Sequence, residues 1–102
     1  MILYINKYRI RPGTQEEMAA DIKSSGCEAA MEKQPGNLFF RLSFSAAEPD
    51  TLYLTDGWED QASCDAHLTC DAMPLWRAVK DKYVVDKDVR GFLAQQKTDA
   101  PQ

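Results

Sequence analysis

The sequence predicts an α+β sandwich of the ferredoxin-like type, in which helices cover one face of a four-stranded antiparallel sheet. Four segments alternate polar and apolar residues with a period of two, and two longer segments carry apolar residues at helical spacing. Their order is strand, helix, strand, strand, helix, strand, which fits this class when the middle strands form a hairpin. We predict one domain over residues 1–93 and a polar, mobile tail over residues 94–102.

The first strand is predicted at residues 2–10, where Asn6 shares a face with Tyr4 and Tyr8. A carboxamide on a mostly apolar face must find hydrogen-bond partners in the protein, in water or in a ligand. Asn6 is therefore a candidate site residue. The competing interpretation is that neighbouring backbone groups satisfy its side chain.

The first helix is predicted at residues 15–33, because Thr14 and Glu17 have the spacing of a capping box. Two serines followed by Gly26 lower the helix propensity in the middle of this segment. We therefore expect a kink or a break near Gly26. A Pro-Gly pair at residues 35–36 ends the helix.

The second and third strands are predicted at residues 38–45 and 51–58, with a turn between them. On the third strand, Asp56 and Trp58 share a face with two leucines. A carboxylate on a buried face needs a physical reason, since burial of an unpaired charge is costly. Asp56 and Trp58 are therefore candidate site residues.

A strand-to-helix corner follows the third strand, and Asp60 is predicted to cap a short helix that reaches His67, the only histidine. Asp71 is predicted to cap the last helix, which has Pro74 in its first turn. The buried stripe of that helix is expected to contain Met73, Trp76, Val79 and Tyr83. The corner brings an acid, an indole and an imidazole together along the chain, and we expect the chemistry to lie there.

The last strand is predicted at residues 84–93. Leu3 and Ile5 lie on the face of the first strand opposite Asn6, so the second face of the sheet also carries apolar residues. A second copy of the chain, packed sheet against sheet, would bury them. The sequence therefore predicts a homodimer.

Composition excludes several classes of function. A net charge of −4 and a pI near 4.9 argue against nucleic acid as a partner. The chain has no apolar run long enough to cross a membrane, and its first residues alternate like a strand rather than a leader peptide. Three cysteines make neither an even set nor a dense framework, which suits a reducing compartment. We expect a cytoplasmic protein without disulfides.

These features resemble the antibiotic biosynthesis monooxygenase family, the dimeric α/β-barrel group that also includes quinol monooxygenases. The resemblance covers residues 2–93. It rests on three motifs in order: Arg11-Pro12-Gly13 after the first strand, Pro35-Gly36 before the second, and the segment from Asp56-Gly57-Trp58 to His67. Family members commonly carry glutamate where this chain has Asp56.

The resemblance implies a monooxygenase that oxidises a quinol or a polyketide-like phenol with molecular oxygen and without flavin or metal. The five glycines form no phosphate-binding loop, which is compatible with the absence of a nucleotide cofactor. In this chemistry the substrate supplies the electrons, so the protein must favour its deprotonated form and hold it in place. A small aromatic substrate and oxygen are the expected ligands.

The roles that follow from this chemistry fall on the candidate residues. His67 is the expected base, Asn6 the expected donor to a developing oxyanion, and Trp58 a wall that stacks on the substrate ring. Further contacts with the substrate are expected from Tyr4, Tyr8, Asp56 and Trp76. For each of them a purely structural role, in the core or at the surface, is the competing interpretation.

Three alternatives stay open. Cys64, His67 and Cys70 are spaced by three, which suggests a metal site, but structural zinc sites usually come as two well-spaced ligand pairs, and we predict no metal. Some relatives in the superfamily cleave haem with an Asn, a Trp and a His; Asn6 matches, whereas His67 and Arg77 replace the other two. The third alternative is a dimer that binds a small molecule without catalysis, or one with a purely structural role.

Overall fold

The computed structural model describes residues 1–97, and the predicted tail at 94–102 therefore lies partly outside the described residues. The described chain forms four strands and four helices. In chain order they are β1 (Ile2–Ile10), α1 (Gln15–Ser25), α2 (Cys27–Glu32), β2 (Asn37–Phe44), β3 (Thr51–Trp58), α3 (Gln61–His67), α4 (Met73–Tyr83) and β4 (Val84–Leu93). The predicted order of elements is confirmed.

The strands form one antiparallel sheet in the order β2-β3-β1-β4, which confirms the ferredoxin-like class. β1 and β3 are the central strands, and their register places Asn6 opposite Leu54 and Tyr4 opposite Asp56. Because paired residues in an antiparallel ladder point to the same face, these polar groups are all directed to one side of the sheet. That side is the one that the helices cover.

The core lies between this face of the sheet and the helices. The strands contribute Tyr8, Ile10, Phe40, Leu52 and Leu54, and the helices contribute Met18, Ile22, Cys27, Met31, Met73, Trp76, Val79 and Tyr83. The predicted buried stripe of α4 is confirmed in full. Because α4 packs its apolar stripe on the sheet, Trp76 meets the ring of Tyr8 at a centroid distance of 5.8 Å.

The predicted first helix is divided into α1 and α2. Gly26 lies between them in the left-handed region, with φ 68°, which a residue with a Cβ adopts only at a cost. The predicted capping box is wrong, because the Thr14 side chain makes no bond to an amide of the helix. Its hydroxyl instead donates to the Arg11 carbonyl at 2.6 Å.

The corner after β3 forms as predicted, and Asp60 accepts a hydrogen bond from the Ser63 amide at 2.8 Å to cap α3. Asp71 does not cap α4. Ala72 occupies the cap position instead, and Pro74 lies in the first turn. The segment between α3 and α4 is bonded through its backbone: Cys70 donates to the His67 carbonyl, and Met73 donates to the Cys70 carbonyl.

The second face of the sheet carries an apolar patch that we call the open face, formed by Leu3, Ile5, Phe39 and Phe92. Its Ile5 and Phe92 side chains are 38% and 46% exposed. The Phe39 ring lies directly over Gly57, where a Cβ would come within 2.6 Å of it. None of the helices in residues 1–97 combines the length and the apolar composition needed to cross a lipid bilayer.

Candidate active site

A cavity of about 310 Å³ lies between the Asn6 face of the sheet and helices α3 and α4. Its walls are mostly buried: Asn6, Tyr8, Phe40, Leu54, Asp56, Cys64, His67, Met73 and Trp76, together with the half-buried Tyr4. More exposed residues mark its opening: Asp65, Leu68, Arg77, Lys80 and Val89. The lining is therefore apolar and aromatic with a few polar groups, as is usual for small-molecule sites.

Six of the seven predicted site residues line this cavity: Asn6, His67, Tyr4, Tyr8, Asp56 and Trp76. They come together because β1 and β3 are neighbours and α3 turns back over the same face. A second depression, of about 640 Å³, lies near the other end of β1 and shares only Tyr8 with the cavity. Charged side chains and prolines make up much of its lining.

Asp56 joins the polar groups of the site. Its Oδ1 accepts a hydrogen bond from Asn6 Nδ2 at 3.1 Å, and its Oδ2 accepts one from Trp58 Nε1 at 2.8 Å. Burial raises the pKa of Asp56 above its ordinary value, and the bond from Trp58, the charge of His67 and the bond from Asn6 oppose that rise. This carboxylate therefore fixes two side chains at once and remains costly to ionise.

The Asn6 amide has a defined orientation. Its Nδ2 also donates to the Leu54 carbonyl at 3.0 Å, and a carbonyl can only accept. Both hydrogens of the amide are therefore used within the protein. The predicted role of Asn6 as an oxyanion donor is wrong for this geometry. No group in residues 1–97 donates a hydrogen bond to its Oδ1, and this oxygen is not among the fully buried atoms that lack a partner. Asn6 therefore offers an acceptor to the cavity.

His67 also has a defined tautomer. Its Nδ1 is bonded to the Cys64 carbonyl, which can only accept, so Nδ1 carries a proton and, in the neutral ring, the lone pair lies on Nε2. Within the described chain Nε2 has no partner. The imidazole stacks on the Trp58 indole, with ring centroids 4.2 Å apart and planes 21° apart. Its orientation is therefore set from two directions.

Trp58 does not line the cavity, and its predicted position as a substrate-stacking wall is wrong. Its side chain is 0% exposed. The alternation along β3 correctly predicted which face of the sheet Trp58 occupies. The indole, however, lies behind the His67 ring and does not border the cavity. Trp58 acts on the site through its contacts with His67 and Asp56, as a positioning residue.

The two tyrosines differ in their surroundings. Burial raises the pKa of Tyr8 to about 12, so its hydroxyl keeps its proton near neutral pH. The pKa of Tyr4 is raised by the neighbouring Cys64 and also by burial. The Tyr4 ring lies over Gly91 of β4, where a Cβ would approach within 2.8 Å of the ring. A glycine at that position lets Tyr4 lie close to the sheet.

The spacing of Cys64, His67 and Cys70 does not produce a metal-ligand cluster. Among residues 1–97, no three His, Cys, Asp or Glu side chains come together as a metal site requires. Cys64, Cys70 and Cys27 are free thiols, and burial raises the pKa of Cys64. Cys64 lies one helical turn before His67, and it lines the cavity beside Tyr4.

Residues 1–79 match the model of the family described as antibiotic biosynthesis monooxygenase. The chain belongs to the antibiotic biosynthesis monooxygenase family. Among curated proteins, none matches this chain.

Solved structures share the fold of this chain. Two proteins provisionally described as antibiotic biosynthesis monooxygenases, from Nitrosomonas europaea and Deinococcus radiodurans, superpose with TM-scores of 0.80 and 0.74 at 15% and 17% identity. The alignments cover 94% of this chain and 100% of the first protein, and 100% of both chains for the second. A Shewanella oneidensis protein aligns at 21% identity and TM-score 0.74, over 89% of this chain and 87% of its own. At these identities the likeness establishes the fold alone.

Arg77 and Lys80 lie at the rim of the cavity and were not predicted from the sequence as substrate contacts. Lys80 lies four residues after Trp76 and three after Arg77 on α4. Helical spacing therefore places Lys80 on the side of α4 that faces the cavity. Polar residues at the margin of an apolar stripe usually face solvent, and nothing in the local pattern distinguishes those that border a cavity. The tertiary packing of α3 against the sheet makes this distinction.

Asp56→Asn is expected to destabilise the fold by about 1–3 kcal/mol, because an amide offers one acceptor where Asn6 and Trp58 require two. The cost should depend on pH. The raised pKa of Asp56 means that the folded state holds this proton more tightly, so wild-type stability rises as pH falls through that pKa. The variant lacks this contribution. In urea unfolding, the difference between the free energies of unfolding of the wild type and the variant should therefore be larger at about pH 4.5 than at about pH 7.

Proposed function

We propose that this protein is a monooxygenase that uses molecular oxygen to oxidise a quinol or a related phenolic aromatic. The observation that carries the proposal is a pair of free acceptors in one aromatic-lined cavity, Nε2 of His67 and Oδ1 of Asn6. A ring bearing hydroxyl groups supplies the donors that these acceptors lack. Membership of the monooxygenase family supports the same reaction class.

The reaction begins with a proton transfer. Nε2 of His67 takes the proton of a substrate hydroxyl, and the resulting phenolate is electron-rich enough to react with oxygen. In a quinol, one oxygen atom replaces a ring hydrogen as a hydroxyl group while the two substrate hydroxyls become carbonyls, and the other oxygen atom leaves as water; in an anthrone-like phenol, the first oxygen atom replaces both hydrogens of the ring CH2 as a carbonyl. The substrate supplies all four electrons, so the balance requires no further reductant. We propose that the reaction needs neither flavin nor metal.

The remaining groups hold the substrate. Oδ1 of Asn6 accepts from a second hydroxyl, and the protonated Tyr8 hydroxyl is the available donor to the phenolate. Asp56 fixes Asn6, and Trp58 fixes both Asp56 and the His67 ring. Trp76 supplies an aromatic wall. We thus propose a task for six of the seven predicted site residues, all except Tyr4, and change the proposed role of Asn6 from donor to acceptor.

Oxygen consumption across a panel of quinols and anthrone-like phenols tests the proposal, with metal-stripped protein as the matched sample. We expect uptake of one oxygen molecule per substrate, unchanged after metal removal. A non-catalytic binding protein would gain thermal stability from the same compounds without consuming oxygen. That outcome would overturn the enzymatic proposal and leave the cavity as a binding site.

We also propose that the protein is a cytoplasmic homodimer that buries the open face. The apolar patch around Ile5 and Phe92 supports dimerisation, and the free thiols support a reducing compartment.

Ile5→Lys is expected to convert the dimer to a monomer, because it places a charge in the apolar patch. Leu75→Lys is the matched control, since Leu75 on α4 is 39% exposed, about the same as Ile5, and lies away from the open face. Light scattering at micromolar concentration measures the mass of each. A monomeric wild type, or a dimeric Ile5→Lys variant, would contradict the proposed interface.

A further inference from the structure

We propose that Arg77 and Lys80 form an anion-binding subsite at the rim of the cavity, and that the aromatic substrate carries a carboxylate at the end opposite its reacting hydroxyl. This inference rests on the proposed function, because it assigns the same cavity a narrower class of substrate. Neither residue had a predicted role in binding substrate.

Both side chains border the cavity from α4 and are separated by three residues, which places them near each other on the helix surface. Neither has an acidic partner within 4.0 Å in the described chain, whereas five other cations do: Lys7, Arg9, Arg41, Lys82 and Arg90. Arg77 is held at the rim by a hydrogen bond from Nη2 to the Leu68 carbonyl at 3.3 Å. Its remaining donors are available to a ligand.

The charges that face the opening favour an anion. Asp65 on α3 is the acidic group at the rim, and it accepts a hydrogen bond from Gln61 Nε2 at 2.8 Å. It makes no ion pair with Arg77 or Lys80 within the described residues. Two cations on the α4 side thus oppose one acid on the α3 side, in a chain whose net charge is −4. Deeper in the cavity, Asp56 and His67 are the other titratable side chains besides Tyr4, Tyr8 and Cys64.

The cavity therefore has two chemically different ends. Its depth presents acceptors, Nε2 of His67 and Oδ1 of Asn6, which suit hydroxyl groups. Its α4 rim presents cationic donors, which suit a carboxylate. A volume of about 310 Å³ is at the lower end of the range for small-molecule sites, and it suits a substrate of one or two rings. Together the two ends of the cavity would orient the substrate, with its hydroxyl-bearing ring in the depth and its carboxylate at the rim.

Anaerobic calorimetry tests the subsite, because binding can then be measured without turnover. The probes are a dihydroxynaphthalene and the same diol with a carboxylate on its unhydroxylated ring. We expect the carboxylate to bind about tenfold more tightly at low salt, since two exposed charges contribute modestly to affinity. The advantage should fall as salt is raised, because both cations lie where solvent ions can screen them.

The variants have opposite expected signs. Arg77→Gln and Lys80→Gln should each weaken binding of the carboxylate about threefold and leave the neutral diol unchanged, whereas Asp65→Asn should tighten binding of the carboxylate. Lys23→Gln is the control, since it removes the same charge from α1 at a position outside the cavity. All four sites are accessible to solvent, so the melting temperatures should remain close to the wild-type value.

The results separate this inference from the function on which it rests. Equal binding of the two diols, or a preference that survives in the Arg77→Gln, Lys80→Gln double variant, would overturn the subsite. If the neutral diol were still oxidised, the proposed function would stand. Failure of both diols to bind would overturn the subsite and also contradict the proposed role of the cavity.

Discussion

Replacing His67 with alanine is expected to lower turnover about a hundredfold or more, the usual loss when a general base is removed. The reason is specific to this geometry. The bond from Nδ1 to the Cys64 carbonyl leaves the Nε2 lone pair available, and no other neutral nitrogen base lines the cavity. Initial rates of oxygen uptake, with the quinol that gives the highest wild-type activity, measure the effect.

His67→Phe is the matched control for the stacking contact, because a phenyl ring can still pack on Trp58 but has no lone pair. If both variants are slow and the phenylalanine variant is the more stable, the loss is chemical rather than structural. Added imidazole should partly restore the activity of His67→Ala, since the substitution vacates a ring-sized space beside Trp58. Wild-type rates in both variants would remove His67 from the mechanism.

The fold was predictable because its signals are local. A period of two along β1 and β3, and a helical stripe in α4, each reflect which side chains leave water, and this choice can be made within one element. The caps were less predictable. Thr14 bonds to the Arg11 carbonyl and Ala72 replaces Asp71, because a cap depends on the exact turn geometry at a helix terminus.

The sequence predicted most of the residues that form the site, but it did not predict which of their atoms donate hydrogen bonds and which accept them. Strand face patterns predicted Asn6 and Asp56 on a mostly apolar face of each strand, and the corner after β3 was predicted to bring His67 to them; all three line the cavity. The orientation of the Asn6 amide, however, depends on Leu54 and Asp56, which are 48 and 50 residues away in the chain. No local pattern distinguishes a carboxamide that presents its oxygen from one that presents its nitrogen. Only the three-dimensional network turned the predicted donor into an acceptor.

Periodicity also could not predict how deeply each side chain of β3 is buried. Asp56 and Trp58 share one face of β3, yet Asp56 borders the cavity and Trp58 lies behind it. The difference arises because the α3 backbone returns over Trp58 and places the His67 ring on its indole. Alternation indicates a side of the sheet, whereas the path of the next helix decides what remains accessible there.

Trp58→Ala is expected to destabilise the fold by about 3–5 kcal/mol, because it removes a fully buried indole from contact with its neighbours. Trp58→Phe keeps a ring beneath His67 but removes the donor to Asp56 Oδ2, and should cost about 1–3 kcal/mol. Urea unfolding monitored by circular dichroism measures both changes, so the loss of an indole does not remove the signal.

The kinetics of these variants separate a positioning residue from a substrate contact. Trp58→Phe should lower kcat more than it changes KM, since the indole orients Asp56 and His67 without bordering the cavity. Trp76→Phe is the comparison, because Trp76 lines the cavity and should change KM in preference. If Trp58→Phe raised KM alone and left kcat intact, the indole would be contacting substrate after all, and its assignment as the support of His67 and Asp56 would be wrong.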